Sequence, residues 1–148
     1  MHTEHLQNVR FRFVVAGWLV AIAITSLVVL ALMGFAATDV PEVYANPFWS
    51  ILAVVLGFFA GGWFAGSRAL QAPILHGLGM GLLSLVAWVL LNAIMVVLAE
   101  GFTFEGLTPA LALALILAQV VAATLGALMG YNMALRGRPG LSEHEPLP

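Results

Sequence analysis

Few side chains in this 148-residue sequence could do chemistry, and their spacing argues against most of it. His76 and Ser84 lie eight residues apart in one apolar run. On a helix that separation is about 12 Å along the axis, so the two cannot form a nucleophile–base pair. An aspartyl-type intramembrane site needs two acids within apolar runs, and every Asp and Glu falls outside them. His2, Glu4 and His5 are close in sequence, but three ligands on a chain end make a poor metal site. Haem ligation by two histidines would need a second histidine in an apolar run, and His76 stands alone there. Cysteine is absent, which removes thiolate nucleophiles, disulfides and Cys-based metal or iron–sulfur sites. No G-x-S-x-G elbow, P-loop, HExxH or dinucleotide fingerprint occurs. GFFAGGWFAG is Gly-rich but sits within an apolar run, where it cannot cradle a phosphate. The expectation is a protein that is not an enzyme, with no cofactor and no metal.

The polar side chains that stand out within the apolar runs are Asn92, Gln119 and His76. A mutual amide bond between Asn92 and Gln119 would satisfy both, and such intramembrane bonds are worth about 0.6–2 kcal/mol. Structural pairing is the first reading and a substrate contact the second. For His76 the first reading is hydrogen bonding near the membrane interface, and the second a cofactor or proton role. Thr25, Ser26, Ser84 and Thr124 can return their hydroxyls to carbonyls of their own helices.

The elements that carry these residues follow from composition. Hydrophobic residues make up 62% of the chain, charged residues 8%, and the mean hydropathy is +1.05. A soluble domain carries about 25% charged residues, so lipid must be the solvent for most of this chain. Four apolar runs are each long enough for a spanning helix, which needs about 20 residues. They cover about 13–37, 47–70, 73–99 and 107–135. The first run is too long for the core of a signal peptide, about 7–15 residues, and reads as a retained helix. Pro47 and Thr108-Pro109 suit helix starts. The runs lack the alternation of membrane strands and are two to three times their length. The fold class is therefore an all-α membrane protein with four transmembrane helices. Residues 1–12 form an N-terminal segment, 13–135 the membrane domain and 136–148 a disordered tail.

All five basic residues are arginines: Arg10, Arg12, Arg68, Arg136 and Arg138. They occupy the two termini and the link between the second and third runs. The other two links carry Asp39, Glu42, Glu100 and Glu105 and no base. The excess of Arg on one side predicts cytoplasmic termini in a bacterial inner (plasma) membrane protein. The net charge of −2 and the lack of a basic domain speak against nucleic acid.

The second and fourth runs align at an offset of 65 residues, matching Leu52-Ala53 with Leu117-Ala118 and Gly61 with Gly126. That match predicts two tandem helical hairpins, a parallel repeat, although Ala/Gly-rich helices also match by chance. Small residues recur every four positions: Ala53, Gly57, Gly61 and Ala65 in the second run, and Ala118, Ala122, Gly126 and Gly130 in the fourth. Gly62 with Gly66, and Gly77 with Gly81, add overlapping pairs. Such glycine-zipper stripes let helix backbones approach closely in lipid. Packing within the chain, an interface to other chains and a pore lining all remain open at this point.

The stretch GGWFAGSRALQAPILHGLGMGLL, from Gly61 to Leu83, together with the four-span layout, resembles small bacterial membrane proteins of the DUF3792 type. The resemblance implies a four-helix fold and a bacterial membrane setting, and it implies no activity. The functional expectation is a non-enzymatic structural or accessory subunit acting through small-residue helix packing. Its partners would be membrane lipid and either copies of itself or a larger membrane complex. The alternative is a small oligomeric channel or facilitator for an uncharged or weakly polar solute.

Overall fold

The computed structural model describes residues 9–36, 47–70, 72–98 and 109–137. These residues form four helices: α1 (Phe11–Ala36), α2 (Pro47–Ala69), α3 (Pro73–Leu98) and α4 (Pro109–Arg136). The shortest has 23 residues, or about 35 Å at the α-helical rise, enough to cross a hydrocarbon core of about 30 Å. All four are long and apolar enough to span a membrane. Pro47, Pro73 and Pro109 each open a helix, where a missing N–H costs nothing. The predicted cap Thr108, the acidic links, the metal candidates His2, Glu4 and His5, and the tail from Arg138 lie outside the described residues.

The link between α2 and α3 is tight. Leu70 (φ 51°) and Ala72 (φ 43°) both adopt the left-handed conformation. For residues with a Cβ this costs about 1–2 kcal/mol each. α2 therefore ends at Ala69, and the chain reverses at once into α3.

α2 and α4 share the largest interface, followed by α1 with α2 and α3 with α4. α1 and α3 also touch, as do α2 and α3. Going round the bundle the order is α1, α2, α4, α3. Gly62 faces Ala123 and Gly66 faces Ala127, while Gly126 faces Phe59 and Gly130 faces Trp63. Both indices rise together, so α2 and α4 run parallel. Gly17 packs on Gly61 and Ala65, and Gly57 on Ala21 and Thr25, so α1 runs antiparallel to α2. Gly77 meets Thr124 and Gly81 meets Val120, so α3 is antiparallel to α4. This topology gathers Arg10, Arg12, Arg68 and Arg136 at one end of the bundle.

The core is concentrated toward that arginine end. Val14, Ala21, Phe58, Ala65, Met80, Ala122 and Ala123 form its buried cluster. Phe58, Met80 and His76 are its largest fully buried side chains. Among the described side chains, none beyond Thr25 in α1 or beyond Ser84 in α3 is fully buried. In α3, Leu85, Val86, Trp88, Val89, Leu90, Leu91, Ile94, Val96 and Val97 are all exposed. In water such a surface would drive aggregation, whereas lipid tails solvate it.

Candidate functional site

His76 occupies the junction of three segments near the start of α3. It is fully buried, and both ring nitrogens are engaged. Nδ1 lies 2.9 Å from the carbonyl oxygen of Ala72. Nε2 accepts the backbone N–H of Arg10 at 3.3 Å. A carbonyl can only accept and an amide N–H can only donate, so the pair of partners selects the neutral ring with its proton on Nδ1. The Arg10 N–H precedes the first turn of α1, which the Phe13 N–H to Arg10 carbonyl bond closes at 2.8 Å. Such groups have no partner within their own helix. His76 thus caps α1 from a different helix and steadies the left-handed Ala72, whose carbonyl also accepts the His76 backbone N–H at 3.2 Å. Both ring nitrogens thus take part in holding α1 and the α2–α3 link against α3.

The small-residue stripes are divided among neighbours within the chain. Ala53, Gly57, Gly61 and Ala65 turn toward α1. A Cβ at Gly61 would sit 2.8 Å from the Ala21 Cβ, and one at Gly17 would sit 2.9 Å from the Ala65 Cβ. Gly62 and Gly66 turn toward α4, where an added Cβ would collide with the backbone of Ala123 and Ala127. Gly126 and Gly130 face the backbone of Phe59 and Trp63. Gly77 and Gly81 admit α4 to α3. Ala122 is buried, whereas Ala118 is only half-buried. α2 therefore carries two glycine faces, one for each neighbour, which is why its glycines occur as the adjacent pair Gly61-Gly62.

The polar residues deeper in the spans do not pair as the sequence suggests. Asn92 Nδ2 donates to the carbonyl of Trp88 at 2.8 Å, one turn back on its own helix. Gln119 Oε1 is buried and has no hydrogen-bond partner. The Asn92–Gln119 bond is not formed, because the bond to the preceding turn is locally available to Asn92. The hydroxyls also depart from expectation. Thr25 Oγ1 donates across to the Ala53 carbonyl of α2 at 3.4 Å. Ser84 Oγ accepts the indole N–H of Trp18 at 2.9 Å. Thr124 Oγ1 is buried without a partner, held against the backbone at Gly77. Trp18 lies deep in the first apolar run, where the sequence by itself suggests packing. The available signal was its indole N–H, which needs an acceptor in an apolar setting. Nothing in the sequence names an acceptor 66 residues away.

A crevice of about 110 Å³ opens between α3 and α4, lined by Ser84, Trp88, Ala112, Leu115, Ile116 and Gln119. Among the described residues, no group of three His, Asp or Glu side chains could hold a metal ion. Four apolar helices closed by glycine contacts, with charge confined to their ends, define an all-helical, multi-pass membrane protein. No family model matches the chain, and no curated protein or solved structure matches it.

Proposed function

We propose that this chain is a non-enzymatic membrane subunit whose role is to hold a fixed helical surface against another membrane protein. The observation that carries this reading is the uneven packing of α3. Its half nearer the arginine end is built into the bundle through His76, Gly77, Met80 and Gly81. Its other half presents an apolar face with a shallow groove along Leu90, Ala93, Ile94 and Val97. The stripe glycines of α2 and α4, with Gly77 and Gly81, contact neighbouring helices of the same chain, which supports reading the small-residue contacts as building the subunit. The outward face is a different one, made of large side chains. Phe58, Met80 and His76 are fully buried inside the single bundle, so a channel reading would need several copies.

The test is a photoreactive phenylalanine analogue at Ile94, incorporated into the protein in its own membrane. The expected product is a discrete cross-linked species containing a second, larger membrane protein, with no such species from Met133 on α4. Cross-links to lipid alone would sink the proposal. A ladder of multiples of this chain would replace it with the oligomeric channel or facilitator.

The orientation is part of the same reading: both termini lie in the cytoplasm of a bacterial cell. Support comes from the four described arginines sharing one end, where excess positive charge marks the cytoplasmic side. Because the chain has no cysteine, single cysteines give a clean assay. A membrane-impermeant maleimide added to intact cells should label Glu42→Cys and spare Ser142→Cys. The reverse pattern overturns the orientation.

The tandem-hairpin reading is likewise a proposal, and the DUF3792-type resemblance stands with it. Exchanging the two halves at an offset of 64 residues, one short of the offset of 65 in the sequence and pairing Gly62 rather than Gly61 with Gly126, carries the Gly62–Ala123 contact onto Phe59–Gly126. The same exchange carries Gly66–Ala127 onto Trp63–Gly130. That reciprocity supports an approximate two-fold axis along the membrane normal, between α2 and α4.

A further inference from the structure

The α3–α4 interface is closed at one end and open at the other. At Gly77 and Gly81 the two helices meet in direct contact with Thr124 and Val120. Further along α3, the larger Ser84 and Trp88 replace glycine, and the contact widens into the crevice of about 110 Å³. Its walls are mainly Ala112, Leu115, Ile116 and the Trp88 ring.

Two polar groups line it. Gln119 Oε1 is buried and accepts no hydrogen bond. An unsatisfied buried acceptor is costly, and a suitable donor would recover that cost. Ser84 Oγ already accepts from Trp18, so its own proton is left to donate. Asn92, the natural internal partner for Gln119, is bound to the Trp88 carbonyl instead. Gln119 lies ten residues into α4, about 15 Å along the axis from Pro109. At that depth the site is reached sideways from lipid, and a charged ligand is excluded by the cost of desolvation.

We infer that this crevice binds a small uncharged amphiphile, a membrane-dissolved alcohol or phenol. Its hydroxyl donates to Gln119 Oε1 and accepts from Ser84, and its apolar part lies along Trp88, Leu115 and Ile116. A cavity of about 150 Å³ holds benzene, so a crevice of about 110 Å³ takes the hydroxyl-bearing edge of a ring or the end of a longer molecule, with the rest reaching out through its open side. This inference does not rest on the partner proposed above, since it concerns α3 and α4 of a single chain.

The experiment uses the full chain, ¹⁵N-labelled in detergent micelles, with phenol as probe and toluene as the control of similar shape without a donor. The Gln119 carboxamide signals are assigned by their loss in Gln119→Leu, and the Trp88 indole signal reports on the same crevice. Phenol is expected to shift both sets of signals to saturation, with an affinity at least tenfold above that of toluene. In Gln119→Leu, which replaces the amide with an apolar group of similar length, the Trp88 response should lose that preference. An unchanged Trp88 signal in the unliganded variant shows that the crevice itself survives. Equal responses to phenol and toluene, a response that never saturates, or a preference that persists in Gln119→Leu would each overturn the inference.

Discussion

Gly62→Leu is expected to destabilise the bundle by about 3 kcal/mol or more. Overpacking a well-filled interior costs about 1–3 kcal/mol when side chains can move aside. Here the obstacle is backbone. A Cβ at position 62 would collide with the Ala123 carbonyl oxygen and sit 2.8 Å from its carbonyl carbon and 2.9 Å from its Cα. The only relief is to part α2 from α4 along their whole parallel interface, which forfeits the contacts at Gly66, Gly126 and Gly130 as well. Gly34→Leu is the matched control, because nothing lies within 4 Å of the Cβ it would add. It should change stability by no more than about 0.5 kcal/mol. Reversible unfolding in mixed micelles measures both variants. Equal stability of the two would show that the glycines of α2 do not set the helix spacing.

The second large effect is expected at His76. His76→Phe keeps a ring of similar size in a fully buried position and removes both ring hydrogen bonds. We expect a loss of about 2 kcal/mol. That figure takes the usual cost of about 1–3 kcal/mol for each group left unpaired. It is discounted because the Arg10 N–H lies at a helix end and Ala72 keeps one backbone donor. The loss should also be local. The Arg10 amide should exchange its hydrogen faster in His76→Phe, while amides around Phe58 in the core stay protected. A variant with wild-type stability and an unchanged Arg10 amide would mean that the histidine only fills space. His76→Ala should cost more than His76→Phe, because it adds a cavity to the lost bonds.

These two positions show what could be read in advance and what could not. The glycines stand out in the sequence because an apolar run interrupted every four residues by a missing side chain has an evident use in lipid. Their partners do not stand out. In water, a polar face on each helix would reveal which side turns inward. Here the helices are apolar all round, so no such asymmetry is present to assign Gly61 to α1 and Gly62 to α4. His76 was legible as a polar group that needed partners. That it would bind the first amide of α1 depends on α1 and α3 starting side by side, a consequence of two antiparallel hairpins packed together.

The amides and hydroxyls follow the same division. Composition, the four long apolar runs and the placement of charge were determined by the sequence alone, because a bilayer accepts only helices whose backbone bonds close internally. Helix starts at Pro47, Pro73 and Pro109 were local too, since proline acts through its own ring. Which polar atoms meet was decided by tertiary structure. Asn92 turned to its own helix, Trp18 found Ser84 in another, and Gln119 was left facing an opening. The physical reason is range. Burial of backbone in lipid is a property of each segment by itself. A hydrogen bond between helices exists only once two backbones have been brought within a few ångströms, and glycine contacts elsewhere in the bundle set that distance.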